Sequence, residues 1–159
     1  MSRSQARALR GQRAIVKEPF KRGVNLSTIS ALGIEGIFAP MSVEGAIDGQ
    51  AFDRYVEHFL LRELYPGDII ILDNVPFHLS EKAIKLIKSI GAKVKYLPPY
   101  SPDLNPIEEC FSKLKAFLKK VKARSKPKLL SALKHAIDLV SIDDIIGWFL
   151  HAGYSCLSN

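Results

Sequence analysis

A chain of 159 residues, 47% hydrophobic and 25% charged, has the balance of one globular domain rather than a disordered chain, and is long enough to bury a core. Its formal net charge of +7 favours an anionic partner. No apolar stretch approaches the roughly 20 residues of a membrane span, and the first residues, basic and polar, lack a signal-type apolar core, so a cytoplasmic location is expected.

In chain order, Arg3, Arg7, Arg10, Arg13, Lys17, Lys21 and Arg22 crowd the first segment, and about ten residues at the start read as a basic tail. Residues 11–18, 24–32 and 36–43 read as three short strands separated by Gly and Pro signals. Asp48 to Leu64 carries Phe52, Tyr55, Val56, Phe59, Leu60 and Leu64 at helical spacing, with Asp48 placed to cap it. The apolar run Ile69 to Leu72, bounded by Pro66-Gly67 and Asn74, predicts a buried strand of a parallel sheet. Ser80 then caps a helix ending at Gly91, and Val94, Tyr96 and Leu97 make the next strand. Such a strand–helix–strand unit crosses over right-handedly and brings the carboxyl ends of its two strands side by side.

After that strand the chain reads PPYSPDLNPIEE. Pro98, Pro99 and Pro102 restrict their own φ and bias the residues before them toward extended geometry, so the connection is stiff. Asn105 suits the N-cap, Pro106 the first helical position, and Glu108 falls at the third. The helix that follows repeats Ile107, Phe111, Leu114, Phe117, Leu118 and Val121 on one face, and Cys110 should look inward. Cys110 and Cys156 make neither a disulfide framework nor a metal spacing, and are expected as reduced thiols. From Lys113 through Lys115, Lys119, Lys120, Lys122, Arg124, Lys126 and Lys128 the basic run is uninterrupted by an acid. A solvated helix face is the plain explanation, and phosphate contact the functional one. Residues from about 126 to 159 predict two further amphipathic helices, the second capped by Ser141, with Trp148, Phe149 and Tyr154 covering the core.

Two acids stand out by position. Asp73 ends the Ile69–Leu72 strand, where open α/β sheets place their chemistry, and Glu108 opens the helix after the next strand. Paired carboxylates at adjacent strand ends suit Mg²⁺, which takes one or two carboxylates and fills its remaining positions with water and substrate phosphate. Each acid also has a structural reading. Asn105-x-x-Glu108 matches a capping box, and Asp73-Asn74 an Asx turn. His78, five residues after Asp73, suits either proton transfer near a phosphate or loop packing.

The segments LDNVPFH and LPPYSPDLNPIEE resemble the core of DDE transposases of the mariner superfamily, above all their bacterial insertion-sequence branch. That resemblance runs from roughly RALRGQRA to GWFLHAGY. It implies an α/β, ribonuclease H-like mixed sheet flanked by helices, three acids binding Mg²⁺ or Mn²⁺, and cleavage and strand transfer of DNA. Asp73 and Glu108 match the second and third acids, His78 a histidine after the second, and Asn74 is a further assisting candidate. Lys113, Lys115, Lys119, Lys120, Lys122 and Arg124 become candidate DNA contacts.

The family's first acid lies on the first strand, ahead of the segment like RALRGQRA, and MSRSQARALR contains no acid. Residues 1–159 are therefore expected to form a single, incomplete domain lacking its first strand, inactive alone, with an upstream transposase half or a homodimer as partner. The alternative is a catalytically dead DNA-binding or regulatory fragment.

Overall fold

The computed structural model describes residues 25–123 and 125–155. The strand expected over 11–18, the basic tail, Arg124 and Cys156 lie outside these residues. Strands β1 (Leu26–Gly33) and β2 (Gly36–Glu44) form an antiparallel hairpin. Its register shifts between Ile29 and Ala31, a bulge near which Ala39 takes a φ of 50°. Helix α1 (Gly49–His58) begins at Asp48, whose carboxylate accepts the Ala51 N–H at 2.8 Å. The single helix expected from Asp48 to Leu64 ends instead at His58 and continues as a 3₁₀ turn, Leu60–Arg62. The tighter winding keeps Leu60 and Leu64 on the buried side before the chain turns at Pro66-Gly67.

Strand β3 (Ile69–Leu72), helix α2 (Glu81–Ser89) and strand β4 (Lys93–Tyr96) form the expected parallel crossover, in register from Ile69 opposite Lys93 to Leu72 opposite Tyr96. Ser80 caps α2 by accepting the Ala83 N–H. Gly91 turns the chain from α2 into β4 at a φ of 85°, with its carbonyl accepting the Gly67 N–H. A Cβ there would come within 3.2 Å of Pro66. Helices α3 (Pro106–Val121), α4 (Lys126–Asp138) and α5 (Ile142–His151) complete the described chain. Ser141 and Asp144 close a capping box on α5.

Two apolar cores result. Phe52, Tyr55, Val56, Leu60, Ala83, Ile87 and Ile29 form one, against which Ile70, Leu72 and Val94 pack. Cys110, Leu114, Leu133, Ala136, Ile145 and Trp148 form the other. The β1–β2 hairpin is the wall they share: Ile29 belongs to the first, while Leu32 and Ile37 pack on the second. Cys110 is fully buried, and desolvation pushes its thiol up to about 11, so it stays a protonated thiol.

The strand expected to be buried at Ile69–Leu72 is instead partly covered on one side, where Ile70 and Leu72 pack on the first core. Ile69 is 50% and Ile71 38% exposed. Strand β3 pairs only with β4, and β1 only with β2, so the strands form two two-stranded sheets among the described residues. Among the described residues no strand joins the two pairs, and Ile69 and Ile71 stay partly exposed.

Two properties of this packing are measurable. The Tyr55 hydroxyl is buried with no partner among the described residues, and burial raises its pKa strongly. Tyr55→Phe removes an unsatisfied polar atom and should raise stability by about 1 kcal/mol, read from the urea midpoint. Helix α5 is tied to α3 by Lys113–Asp144 and His151–Glu109. The hydrogen bond from Lys113, aided by Ser141, lowers the Asp144 carboxyl from 3.8 to about 2, and Glu109 raises the His151 ring above 6.5. A lowered carboxyl stabilises the fold above its unfolded value and loses that contribution as pH falls toward about 2. A raised imidazole contributes below 6.5 and loses its share as pH rises through the folded value. Emission from Trp148, the only tryptophan and a resident of α5, should therefore be steadiest between these limits. Lys113→Ala should move the acid transition to higher pH.

Candidate active site

Strand β3 delivers Asp73 one residue past its last hydrogen-bonded position, and the Val75 N–H folds back onto Asp73 Oδ1 at 3.3 Å. His78 Nδ1 lies 2.6 Å from the same oxygen. The imidazole sits on the 3₁₀ turn Pro76–Leu79, packed against Phe52 and Phe77 at ring-centroid distances of 4.8 and 4.5 Å. Its side chain is only 17% exposed. One carboxylate oxygen of Asp73 is thus held in place, while Oδ2 has no partner among the described residues. The Asx turn considered for Asp73 forms, and still leaves an oxygen available.

Asn74 Nδ2 donates to the Leu97 carbonyl, and the Leu97 N–H donates to the Leu72 carbonyl at 2.8 Å. These two bonds join the ends of β3 and β4. Beyond them runs the proline-rich connection, with a short 3₁₀ turn at Pro102–Leu104, before α3 begins. Asn105 occupies the N-cap with extended backbone, but its side chain makes no capping bond. Its own N–H donates to the Pro102 carbonyl at 3.1 Å, which leaves nothing for Glu108 to cap. The capping-box reading of Glu108 therefore does not hold: its carboxylate is exposed and without a partner among the described residues.

Both acids line one cleft of about 360 Å³, walled by Asn74, Val75 and Leu97 to Pro102, with Asn105 beside Glu108. Asp73 Oδ2 and the Glu108 carboxylate are hard oxygen donors, free of competing partners, and so fit a Mg²⁺- or Mn²⁺-type ion that fills its other positions with water and phosphate oxygens. Among the described residues no three His, Cys, Asp or Glu side chains gather around a single point.

At the rim of this cleft stands Tyr100, to which the sequence pattern alone assigns no role. Its side chain is wholly exposed, and its φ of 58° is left-handed. That conformation costs a bulky residue about 1–3 kcal/mol. The only signal in the sequence was its setting, enclosed by Pro99 and Pro102.

The candidate DNA-contacting lysines divide by helix geometry. At 3.6 residues per turn, Ser112, Lys115 and Lys119 follow Glu108 along one exposed stripe of α3. Lys113 and Lys120 lie about 120–140° around the axis from it, and Lys113 is engaged with Asp144. Lys122 ends the helix at a φ of 50° and lines a second cleft, of about 520 Å³, with Phe117, Lys128 and His135. Lys126 is paired with Glu44. Thus two lysines share the face of Glu108, two do not, and one continues at the helix end.

Solved structures share this architecture. The Mos1 strand transfer complex superposes with a TM-score of 0.68 at 16% identity, over 94% of this chain and 46% of the Mos1 chain. The Mos1 mariner paired-end complex with Mn gives 0.64 at 17% identity, over 95% and 49%. A simian T-cell lymphotropic virus intasome gives 0.51 at 13% identity, over 94% and 62%. This chain therefore has the mixed α/β, ribonuclease H-like fold of the Mos1 catalytic domain, and spans about half the length of the Mos1 chains it matches. A search of curated proteins gave no match. A family model described as DDE superfamily endonuclease matches residues 1–130 of the 159. Its span covers the hairpin, both strand ends and both acids of the cleft, and the chain belongs to the DDE superfamily endonucleases.

Proposed function

We propose that this chain is the larger part of a mariner-type transposase catalytic domain, whose cleft holds divalent ions against a DNA phosphodiester for strand cleavage and strand transfer. The observation that carries this reading is the pair of unengaged carboxylates, Asp73 and Glu108, lining one cleft behind a stiff loop. Asp73 and Glu108 supply the oxygens that hold Mg²⁺ or Mn²⁺. Ions bound there would supply Lewis-acid activation of the phosphate and lower the pKa of an attacking water or 3′-hydroxyl. His78 orients Asp73 through Oδ1, leaving Oδ2 for the ion, and Asn74 keeps the two strand ends in register.

The first acid of the family pattern comes, in this reading, from an upstream transposase half or from a second chain. Among the described residues β3 pairs only with β4, which leaves its other edge for a strand from such a partner. Two acids leave a metal pair under-ligated, so the 159-residue chain alone should cleave DNA weakly or not at all.

Calorimetric titration with Mn²⁺ tests the site. Asp73→Asn and Glu108→Gln should each weaken binding by more than about tenfold. His78→Ala should weaken it by about tenfold, the lower end for loss of a group that orients a ligand. Unchanged Mn²⁺ binding in both acid variants would remove the enzymatic reading. Its competitor, a DNA-binding regulatory fragment, rests on the exposed lysines alone and requires DNA affinity indifferent to Mg²⁺ and to Asp73→Asn.

The DNA lies along α3 in either reading. Glu108 to Lys119 spans about 16 Å of helix axis, the rise of about five base pairs. Lys115→Ala and Lys119→Ala should each reduce the log–log salt slope of duplex binding by about 0.9. Lys113→Ala and Lys120→Ala, off that stripe, should leave the slope nearly unchanged. Equal effects from all four would mean that the duplex does not follow the face of Glu108.

A further inference from the structure

Tyr100 carries two unfavourable features that no packing in the described structure offsets. An aromatic ring stands wholly in solvent, and its backbone occupies a left-handed conformation that Gly or Asn adopts more readily. Pro98, Pro99 and Pro102 stiffen the surrounding chain, so the backbone that carries the ring is held at a set place. That place is the rim of the cleft lined by Asp73 and Glu108. A solvent-facing aromatic on a stiff, strained backbone beside a candidate phosphodiester site is arranged for a ligand with a flat face.

A nucleic acid offers such a face only where a base has left its stack. In continuous duplex both faces of each base are covered, whereas a strand end or fork presents one beside the phosphate at the junction. Stacking on an aromatic side chain is tolerant of base identity, because every base has a π-face.

We propose that Tyr100 is a positioning residue that stacks on an unpaired nucleobase next to the phosphodiester in the Asp73–Glu108 cleft, so that the chain prefers forked or frayed DNA ends to continuous duplex. This rests on the strand-cleavage reading and adds to it the form of DNA that the cleft accepts. The ring sets the register of the strand, and takes no part in bond making or breaking.

The test uses the full chain, a blunt duplex, and a forked duplex of the same length with 2-aminopurine at the first unpaired position. Ca²⁺ replaces Mg²⁺ so that binding is measured without turnover. The wild-type chain should quench 2-aminopurine fluorescence and bind the fork more tightly than the duplex. Tyr100→Phe should keep both properties, since stacking needs the ring and not the hydroxyl. Tyr100→Gly relaxes the left-handed backbone, so its thermal midpoint should be unchanged or higher. It should lose the quenching and bind the fork about tenfold more weakly, with duplex affinity unchanged.

Quenching that survives in Tyr100→Gly overturns the proposal. So does equal weakening on fork and duplex, the mark of a distorted loop. Either result leaves the carboxylate site intact, because Mn²⁺ binding and its dependence on Asp73 and Glu108 are read separately. A wild-type chain that binds neither DNA overturns the proposal together with the reading beneath it.

Discussion

Everything at the cleft depends on how the ends of β3 and β4 are joined. Two bonds do this: the Leu97 N–H to the Leu72 carbonyl, and the Asn74 side-chain amide to the Leu97 carbonyl. Asp73 is the residue between Leu72 and Asn74, so its Cα is held from both sides. Leu97 is the last residue before the prolines, so the loop that leads to Glu108 starts from the same anchor. Hydrogen bonds thus fix the strand end that carries Asp73 and the start of the loop that leads to Glu108.

Around that anchor the carboxylate oxygens that line the cleft stay unengaged because the groups that compete for them are occupied. The Asn105 N–H, the natural partner of a capping glutamate, is taken by Pro102. Asp73 is engaged on one oxygen only, by Val75 and by a histidine that Phe52 and Phe77 hold in place. The same economy separates the lysines. Lys113 secures α5 and Lys126 reaches Glu44, while Lys115 and Lys119 remain in solvent on the face of the acid. Charge that reads as one run in sequence is divided in space between ion pairs and an exposed helix face.

Features set within a few residues were legible without coordinates. The Asp48, Ser80 and Ser141 caps, the crossover from β3 to β4, the buried Cys110 and the convergence of Asp73 with Glu108 all follow from local patterns and from chain handedness. What sequence could not give depended on distant partners. The burial of Ile69 and Ile71 is decided by what packs on that face of the sheet, and an apolar run of four residues carries no such information. Lys113 meets an aspartate 31 positions away. Glu108 fits a capping box by spacing alone, and only the course of the Pro102–Asn105 backbone shows that the box stays open. The left-handed Tyr100 runs against the preference of its residue type.

The β1–β2 hairpin brings a different consequence. Because Ile29 faces one core while Leu32 and Ile37 face the other, a single ribbon of backbone is common property of both halves. Loosening it would strip a wall from two interiors at once, so the halves should melt together rather than in sequence. Inserted residues would be tolerated at its tip, where Ile34 and Glu35 stand clear of either core. Along its length, a shift by one position would turn each side chain toward the wrong interior.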